Sequence, residues 1–342
     1  MIAVSQLAKT GRAAPTISIC MPVYNVAPYL ERCLKSVLGQ TFQDFVLIAV
    51  NDGSTDHSLQ ILQKFARLSP KIQIVNQENQ GMSAARNHAL SLSESEYVCF
   101  LDSDDFLHPD YLLRLYQTAR RYQADIACCY FTYHFQKSGF RFPHPFRKQG
   151  VFDSVSAMRL LFHDLHLQSY AWNKLYKRRL FSDHHISFPS IAFEDIATAH
   201  QLFFFSNRVA ITKECLYYYV QRDSSTLGNM KIRTINDFIR AAASVRVSLS
   251  QLGVYPLFYR DYAALCRKTN LFCKLYRFKV AQKNHSYARL FTDLRACSHA
   301  LRLYANPCFD PSPYFPAPGE LPAIPDTLPE LDVPNQKRSF LP

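Results

Sequence analysis

The chain has 342 residues, and 48% of them are hydrophobic, which is enough to build one large core or two ordinary ones. Charged residues make up 19% and the net charge is +12, a composition that excludes a chain disordered throughout. No apolar run reaches the roughly 18 residues of a membrane span. Ten cysteines at irregular spacing, among them the adjacent Cys128 and Cys129, and the lack of a signal peptide predict core thiols in a reducing, cytoplasmic setting.

Strand and helix patterns alternate four times in the first third of the chain. The predicted strands are Ile17–Met21, Phe45–Val50, Ile72–Val75 and Tyr97–Leu101, and the predicted helices cover Pro28–Leu38, Asp56–Leu68 and a segment that begins near Gln80. This alternation is typical of an α/β fold with a Rossmann-like, mostly parallel sheet covered by helices on both faces. Ligands of such sheets bind beyond the carboxyl ends of the strands, where Tyr24, Asp52 and Asp102 fall.

Three carboxylates follow the fourth predicted strand: Asp102, Asp104 and Asp105. Carboxylates this close repel each other, so they need a cation or hydrogen-bond donors nearby. Their oxygen ligands favour Mg²⁺ or Mn²⁺, and such ions are commonly shared with substrate phosphates. An isolated Asp-Ser-Asp would more often be a solvated turn, but its place directly after a buried strand favours the metal site.

Three further residues suit a nucleotide at the same sheet edge, and each has a plainer alternative. Tyr24 could place its ring against a base or be an ordinary half-buried tyrosine. Asp52 could accept from a base N–H or cap a helix. Arg86 could fork onto a diphosphate or be a surface charge. Because neither Gly-x-x-x-x-Gly-Lys nor Gly-x-Gly-x-x-Gly occurs, we expect a metal and cationic side chains to hold the phosphates.

Four motifs together carry a family resemblance. They are Ile-Ser-Ile-Cys-Met-Pro-Val-Tyr-Asn from residue 17, Val-Asn-Asp-Gly-Ser-Thr-Asp from 50, Asn-Gln-Gly-Met-Ser-Ala-Ala-Arg-Asn from 79 and Phe-Leu-Asp-Ser-Asp-Asp from 100. In this order they resemble family 2 glycosyltransferases of the GT-A fold, over residues 16–225. The resemblance implies inverting transfer of a hexosyl or N-acetylhexosaminyl group from a nucleotide diphosphate donor, usually a UDP-sugar, with Mn²⁺ or Mg²⁺. It further implies a glycan or lipid-linked acceptor in cell-surface polysaccharide or lipopolysaccharide synthesis.

The resemblance also assigns roles by position. It implies base contacts at Tyr24 and Asp52, a base or diphosphate contact at Arg86, a ribose or metal-water contact at Asp102, further donor contacts at Pro22, Ser103 and Arg222, and the direct metal ligand of the DXD motif at Asp104. Asp105 matches a position that often follows the motif. Arg222 stands in Tyr217–Thr226, where the family often carries a phosphate-closing loop.

The pair Glu194-Asp195 is the second candidate centre. Inverting transfer needs a carboxylate that takes the proton of the acceptor hydroxyl as that oxygen attacks the anomeric carbon. The resemblance implies that Asp195 is this base and that Glu194 orients it or the acceptor. Without the upstream motifs, an acidic pair favoured by a helix dipole would be the better interpretation. His200 could reach a metal, although a core-edge histidine is the commoner case.

The segment between the two centres is expected to bind the acceptor. Trp172 could stack on a sugar face and Lys174 could contact a phosphate, while core packing is the equal alternative for Trp172. Around them we predict a strand over Asp125–Tyr133, a loop over Phe140–Lys148 and a helix that begins within Asp153–Leu161.

The domain prediction follows from changes in composition. We expect an N-terminal extension (1–15), a GT-A domain (16–230) with a nucleotide half (16–125) and an acceptor half (126–230), a basic helical subdomain (231–305) and a Pro-rich, disordered tail (306–342). Residues 231–305 hold five Lys and nine Arg against three Asp, a net charge of +11. Such basic amphipathic helices favour an anionic membrane surface, here the inner face of the cytoplasmic membrane. A solvated helical subdomain is the alternative, and no nucleic-acid motif supports binding to nucleic acid.

Two other classes share parts of the pattern. One is a nucleotide-sugar binding protein without catalysis, against which the presence of both Asp104 and Asp195 argues. The other is a nucleotidyltransferase, whose Gly-rich and basic phosphate signature is absent here.

Overall fold

The structure is a computed structural model that describes residues 14–222, 232–283 and 290–312. Three predictions lie wholly or partly outside the described residues: the N-terminal extension, the 223–226 part of the phosphate-closing loop and the Pro-rich tail beyond residue 312.

A mixed sheet forms the centre of the fold. Its strands are β1 (Ile17–Val23), β2 (Phe45–Asp52), β3 (Ile72–Gln77), β4 (Tyr97–Phe100), β5 (Phe106–Leu107), β6 (Ile126–Phe135), β7 (Arg141–Pro143), β8 (Gly150–Phe152), β9 (Lys174–Lys177) and β10 (Val209–Gln221). The helices are α1 (Ala27–Leu38), α2 (Ser58–Leu68), α3 (Met82–Ser91), α4 (Tyr111–Tyr122), α5 (Ser154–His163), α6 (Arg179–Ser182), α7 (Glu194–Phe204), α8 (Ile232–Gln251), α9 (Tyr255–Lys283) and α10 (Leu290–Ala305).

The first four strands form the parallel half, in the order β3-β2-β1-β4. Every residue of β1 and β2 is buried, as expected for strands covered by helices on both faces. Because β1, β2 and β4 run parallel, their carboxyl ends meet at one edge of the sheet, with Val23 beside Asn51. The predicted α/β architecture of the GT-A type is confirmed in this half.

The second half makes the sheet mixed, because β9 runs antiparallel between β4 and β6, while β10 runs parallel to β6. The segment predicted as a loop over Phe140–Lys148 contains β7, which pairs antiparallel with Thr132–His134. All three residues of β7 are exposed, so no alternation of buried and exposed side chains marks it in the sequence. Only its backbone pairing to β6 makes it a strand.

Successive side chains of the strands point to opposite faces and build two cores. Ile19 and Met21 face α1, α2 and α4, while Cys20 faces α3, α5, α7 and the C-terminal helices. The predicted basic helices are present as α8, α9 and α10, and they join the second core: Phe193, just before α7, stacks on Phe238 of α8 with ring centres 4.5 Å apart. All ten cysteines are free thiols, with Cys128 and Cys129 buried as predicted. Within the described residues, no helix has the length and hydropathy to cross a membrane.

Candidate active site

The carboxyl ends of β1 and β2 form the first wall of the site. Tyr24 directly follows β1 and is 48% exposed, whereas Pro22 is buried within the strand. Asp52, the last residue of β2, is buried and accepts hydrogen bonds from the backbone N–H groups of Gln80 and Gly81, each at 2.9 Å. Asp52 thereby holds the start of α3 against the end of β2. This role resembles the helix capping that was the alternative to a base contact.

Arg86, one turn into α3, links the two candidate centres. Its guanidinium is buried and donates to Asp102 Oδ1 at 2.5 Å through Nη2, and to Glu194 Oε1 through Nη1. One cation therefore contacts both the first carboxylate of the Asp-Ser-Asp motif and the first residue of α7, which brings the two candidate centres together. We expect a donor contact at Arg86 from the sequence, but no local feature of the sequence indicates this bridge.

The residues of the Asp-Ser-Asp-Asp segment divide into two sets. Asp102 and Asp104 are partly open to solvent, while Ser103 and Asp105 are buried. Asp105 accepts from the Tyr217 hydroxyl and from the Val220 backbone N–H, both at 2.7 Å. Asp105 therefore fixes the end of β10, the strand that leads to Arg222.

Arg222 directly follows β10 and is partly exposed beside Asp104. Its Nη2 donates to Asp104 Oδ2 at 2.6 Å, and its guanidinium lies 4.9 Å from the ring centre of Tyr29. Burial raises the pKa of Asp104, and the charge of Asp102 adds to that effect, while Arg222 opposes it. A cation at this point can neutralise either Asp104 or an arriving diphosphate.

The residues present fit a divalent ion that arrives with a nucleotide diphosphate. Within the described part of the chain, no three His, Cys, Asp or Glu side chains form a self-sufficient metal site. Mg²⁺ is usually held by one or two carboxylates together with substrate phosphates, and this is the donor set that the partly open Asp104 and Asp102 supply. The chemistry of these oxygens therefore suits Mg²⁺ or Mn²⁺ at Asp104.

The acidic pair opens α7. Phe193 precedes it with a left-handed backbone (φ 63°), an unusual conformation for an aromatic residue, and its ring packs against Phe238 and Phe272 of the C-terminal helices. Glu194 is buried, and Asp195 is partly buried with Oδ1 accepting from the Ile196 N–H at 2.8 Å. Burial raises the pKa of both carboxyls against the opposing charge of Arg86, and a raised pKa makes a carboxylate a stronger base.

The two residues predicted to bind the acceptor lie inside the protein. Trp172 is buried between Tyr217 and Tyr170, with ring centres at 4.2 and 4.7 Å, which agrees with the core-packing alternative. Lys174 is buried, and its Nζ donates to Gln168 O, Tyr170 O and Asn173 Oδ1 at 2.8, 2.5 and 2.6 Å. All three Nζ protons of Lys174 are donated to these protein oxygens, so none is available for an acceptor phosphate.

His200 is buried one and a half turns along α7 from Asp195. It lines a cavity of about 30 Å³ together with Leu161, Phe238 and Lys268, and that lining includes neither Asp102 nor Asp104. Burial lowers the pKa of His200 to about 4, and a backbone contact with Ile196 opposes that shift. The structure therefore places His200 with the core rather than with the acidic motif.

Comparison with known proteins identifies the family of the chain. The sequence model of the family described as Glycosyl transferase family 2 matches residues 18–193. The chain is 34% identical over 248 residues to glycosyltransferase GlyA of Streptococcus pneumoniae, covering 70% of this chain but 35% of GlyA. It is 30% identical over 220 residues to glycosyltransferase GlyG of the same organism, covering 62% of this chain and 72% of GlyG.

The fold has a counterpart among solved structures. The crystal structure of Staphylococcus aureus TarS 1–349 in complex with UDP-GlcNAc superposes with a TM-score of 0.59 at 18% identity, covering 92% of this chain and 98% of that one. The strand order and the flanking helices define an α/β protein of the GT-A type, as in this neighbour. The chain belongs to glycosyl transferase family 2.

Proposed function

We propose that the chain is an inverting glycosyltransferase that moves a hexosyl or N-acetylhexosaminyl group from a UDP-sugar to a hydroxyl of a glycan or lipid-linked acceptor. The observation that carries this proposal is the bridge made by Arg86. It brings Asp102 of the acidic motif and Glu194, the neighbour of Asp195, to the same guanidinium group. The proposed transfer needs one carboxylate near the metal and the diphosphate and another near the acceptor hydroxyl, on opposite sides of the transferred sugar.

The donor half of the proposal rests on the first wall of the site. Tyr24 is exposed at the end of β1 and offers a ring to the base, and Asp52 shapes the adjoining turn. Asp104, with Asp102 beside it, would hold Mn²⁺ or Mg²⁺, and Arg222 is positioned for the diphosphate. The ion would stabilise the charge that grows on the leaving diphosphate. A UDP-sugar is supported by the bound UDP-GlcNAc of the structurally similar TarS.

The acceptor half assigns the proton transfer to Asp195. Its carboxylate takes the proton of the acceptor hydroxyl while that oxygen forms a bond to the anomeric carbon. The bond between that carbon and the diphosphate oxygen breaks on the opposite face of the sugar, and UDP leaves with the electron pair. Glu194 is held by Arg86 and would keep the start of α7 in place during this step.

The acceptor class and the location complete the proposal. We place the protein in cell-surface polysaccharide or lipopolysaccharide synthesis, in the cytoplasm and peripheral to the inner membrane surface. The net charge of +11 in residues 231–305 supports that attachment, since a lipid-linked acceptor and the enzyme would then meet at the same surface.

The test starts with a screen of nucleotide-sugars for metal-dependent donor hydrolysis and for thermal stabilisation. With the donor found, Asp195→Asn should bind it nearly as the wild type does and lose transfer by about a hundredfold or more. Retained turnover would move the base elsewhere. Asp104→Ala should lose Mn²⁺-dependent donor binding in calorimetry, and unchanged affinity would count against the metal role. Release of pyrophosphate instead of UDP would replace the proposal with a nucleotidyltransferase.

A further inference from the structure

Helix α9 carries an exposed apolar stripe. Leu271, Leu275 and Phe278 recur at i, i+4 and i+7, which puts them on one side of the helix. In the described part of the chain they are 60%, 55% and 54% exposed, so more than half of each residue is open to solvent. These three residues are called the α9 stripe below. Soluble surfaces carry single exposed leucines as a rule, but three aligned large side chains indicate a contact surface.

Basic residues border the α9 stripe on both sides. From helical geometry, Arg267 and Lys274 lie along one border and Lys279 along the other, and all three are exposed. The sequence from 262 to 283 contains no Asp or Glu, so this face has no negative charge of its own. Lys268, which also lies on this side, pairs with Asp164 of the neighbouring α5 end and is left out of the argument.

The opposite side of α9 is firmly packed, so the α9 stripe cannot turn inward. The buried Arg277 donates to Asp293 Oδ2 at 3.0 Å and to Asn236 Oδ1 at 2.6 Å, which ties α9 to α10 and α8. Phe272 packs on Phe238 and Phe193 beside the acidic pair. The helix therefore presents a fixed surface on one side and supports the candidate active site on the other.

We propose that the α9 stripe and its basic borders form the surface by which the protein docks onto an anionic lipid bilayer. Charge selects this occupant, because the exposed lysine and arginine side chains on both borders match negatively charged headgroups, and the nearby Asp164 is paired with Lys268. Three side chains in one row suit shallow insertion between headgroups. The inference names the surface for the peripheral attachment proposed above, and it does not depend on the transfer reaction.

Vesicle flotation of the full chain tests the surface. The wild type should float with phosphatidylcholine vesicles that contain phosphatidylglycerol and stay at the bottom with phosphatidylcholine alone. The combined variant Leu271→Ser, Leu275→Ser, Phe278→Ser should lower the partition coefficient about tenfold or more. The combined variant Lys274→Gln, Lys279→Gln should weaken binding and reduce its dependence on salt. Leu68→Ser is the matched control: Leu68 is a 70% exposed leucine of α2 beside Arg67, and its loss should change nothing.

Three outcomes would overturn the proposal. The first is flotation of the triple variant like the wild type, and the second is wild-type binding that ignores lipid charge or does not occur. The third is a dimer in sedimentation velocity that the triple variant dissolves, which would assign the surface to a second copy. Transfer to a soluble acceptor and thermal unfolding, measured on the same variants, separate failure of this surface from failure of the active site or the fold.

Discussion

Removing Arg86 should be among the costliest single changes in the molecule. In Arg86→Met, the carboxylate of Glu194, which is 4% exposed, loses its cation and stays buried. Breaking a buried pair by removing one partner costs about 3–5 kcal/mol, and the second contact, to the partly open Asp102, adds less. We therefore expect the free energy of unfolding in urea to fall by about 3–5 kcal/mol. Arg114→Met is the control, because its pair with Glu214 is half exposed on both sides and should be worth no more than about 1 kcal/mol.

A double-mutant cycle tests whether the Arg86–Glu194 ion pair accounts for the loss in free energy of unfolding. Glu194→Gln removes the charge that Arg86 neutralises, so Arg86→Met should cost much less in that background. We expect a coupling of about 2 kcal/mol or more between the two positions, well beyond the roughly 0.5 kcal/mol scatter of independent sites. Additive effects, or equal losses in Arg86→Met and Arg114→Met, would refute the assignment of Arg86 as the bridge.

Three further predictions concern buried titratable groups. Burial lowers the pKa of His200 from 6.5 to about 4, so between these pH values the unfolded chain binds more protons than the folded one. The free energy of unfolding should therefore fall by about 3 kcal/mol as the pH drops through this window. His200→Leu should flatten this pH dependence in urea titrations, and an unchanged slope would assign the dependence to other groups. Lys174→Met removes the ammonium group that donates to three protein oxygens, and it should lower the free energy of unfolding by about 3 kcal/mol or more, measured by thermal unfolding. The control Lys64→Met, at an exposed ion pair, should cost less than about 1 kcal/mol. Similar losses in the two variants would mean that the hydrogen bonds of Lys174 do not stabilise the fold. Because burial raises the pKa of Asp195, kcat at saturating donor should decline on acidification with an inflection above 3.8, and a flat profile to that pH would argue against Asp195 as base.

The parts of the fold that depend on local pattern could be read from the sequence. The first four strands are short unbroken apolar runs, and their order with the helices between them fixed a parallel half and the edge where Tyr24, Asp52 and Asp104 lie. β7 was missed, because an exposed strand held only by backbone pairing leaves no hydrophobic signal.

The contacts that organise the site were beyond the sequence for a different reason. Arg86 and Glu194 meet across residues far apart in the chain, and neither carries a local mark of its partner. Lys174 follows Trp172 and Asn173 in a segment whose polar and aromatic residues look suited to a ligand, yet three protein oxygens enclose its ammonium group. A charged side chain can satisfy its hydrogen bonds inside a protein, and only three-dimensional placement shows when it does.

The packing of Phe193 against the C-terminal helices limits which segments can be exchanged between proteins of this fold. The backbone at this aromatic residue is left-handed, and its ring is held by Phe238 and Phe272 from helices that come later in the chain. The start of α7, with the carboxylates that follow Phe193, therefore packs against helices that come later in the chain. Replacing α8 and α9 with helices from another protein should therefore change the positions of Glu194 and Asp195. A chimaera has to exchange these helices and the acidic pair as one unit.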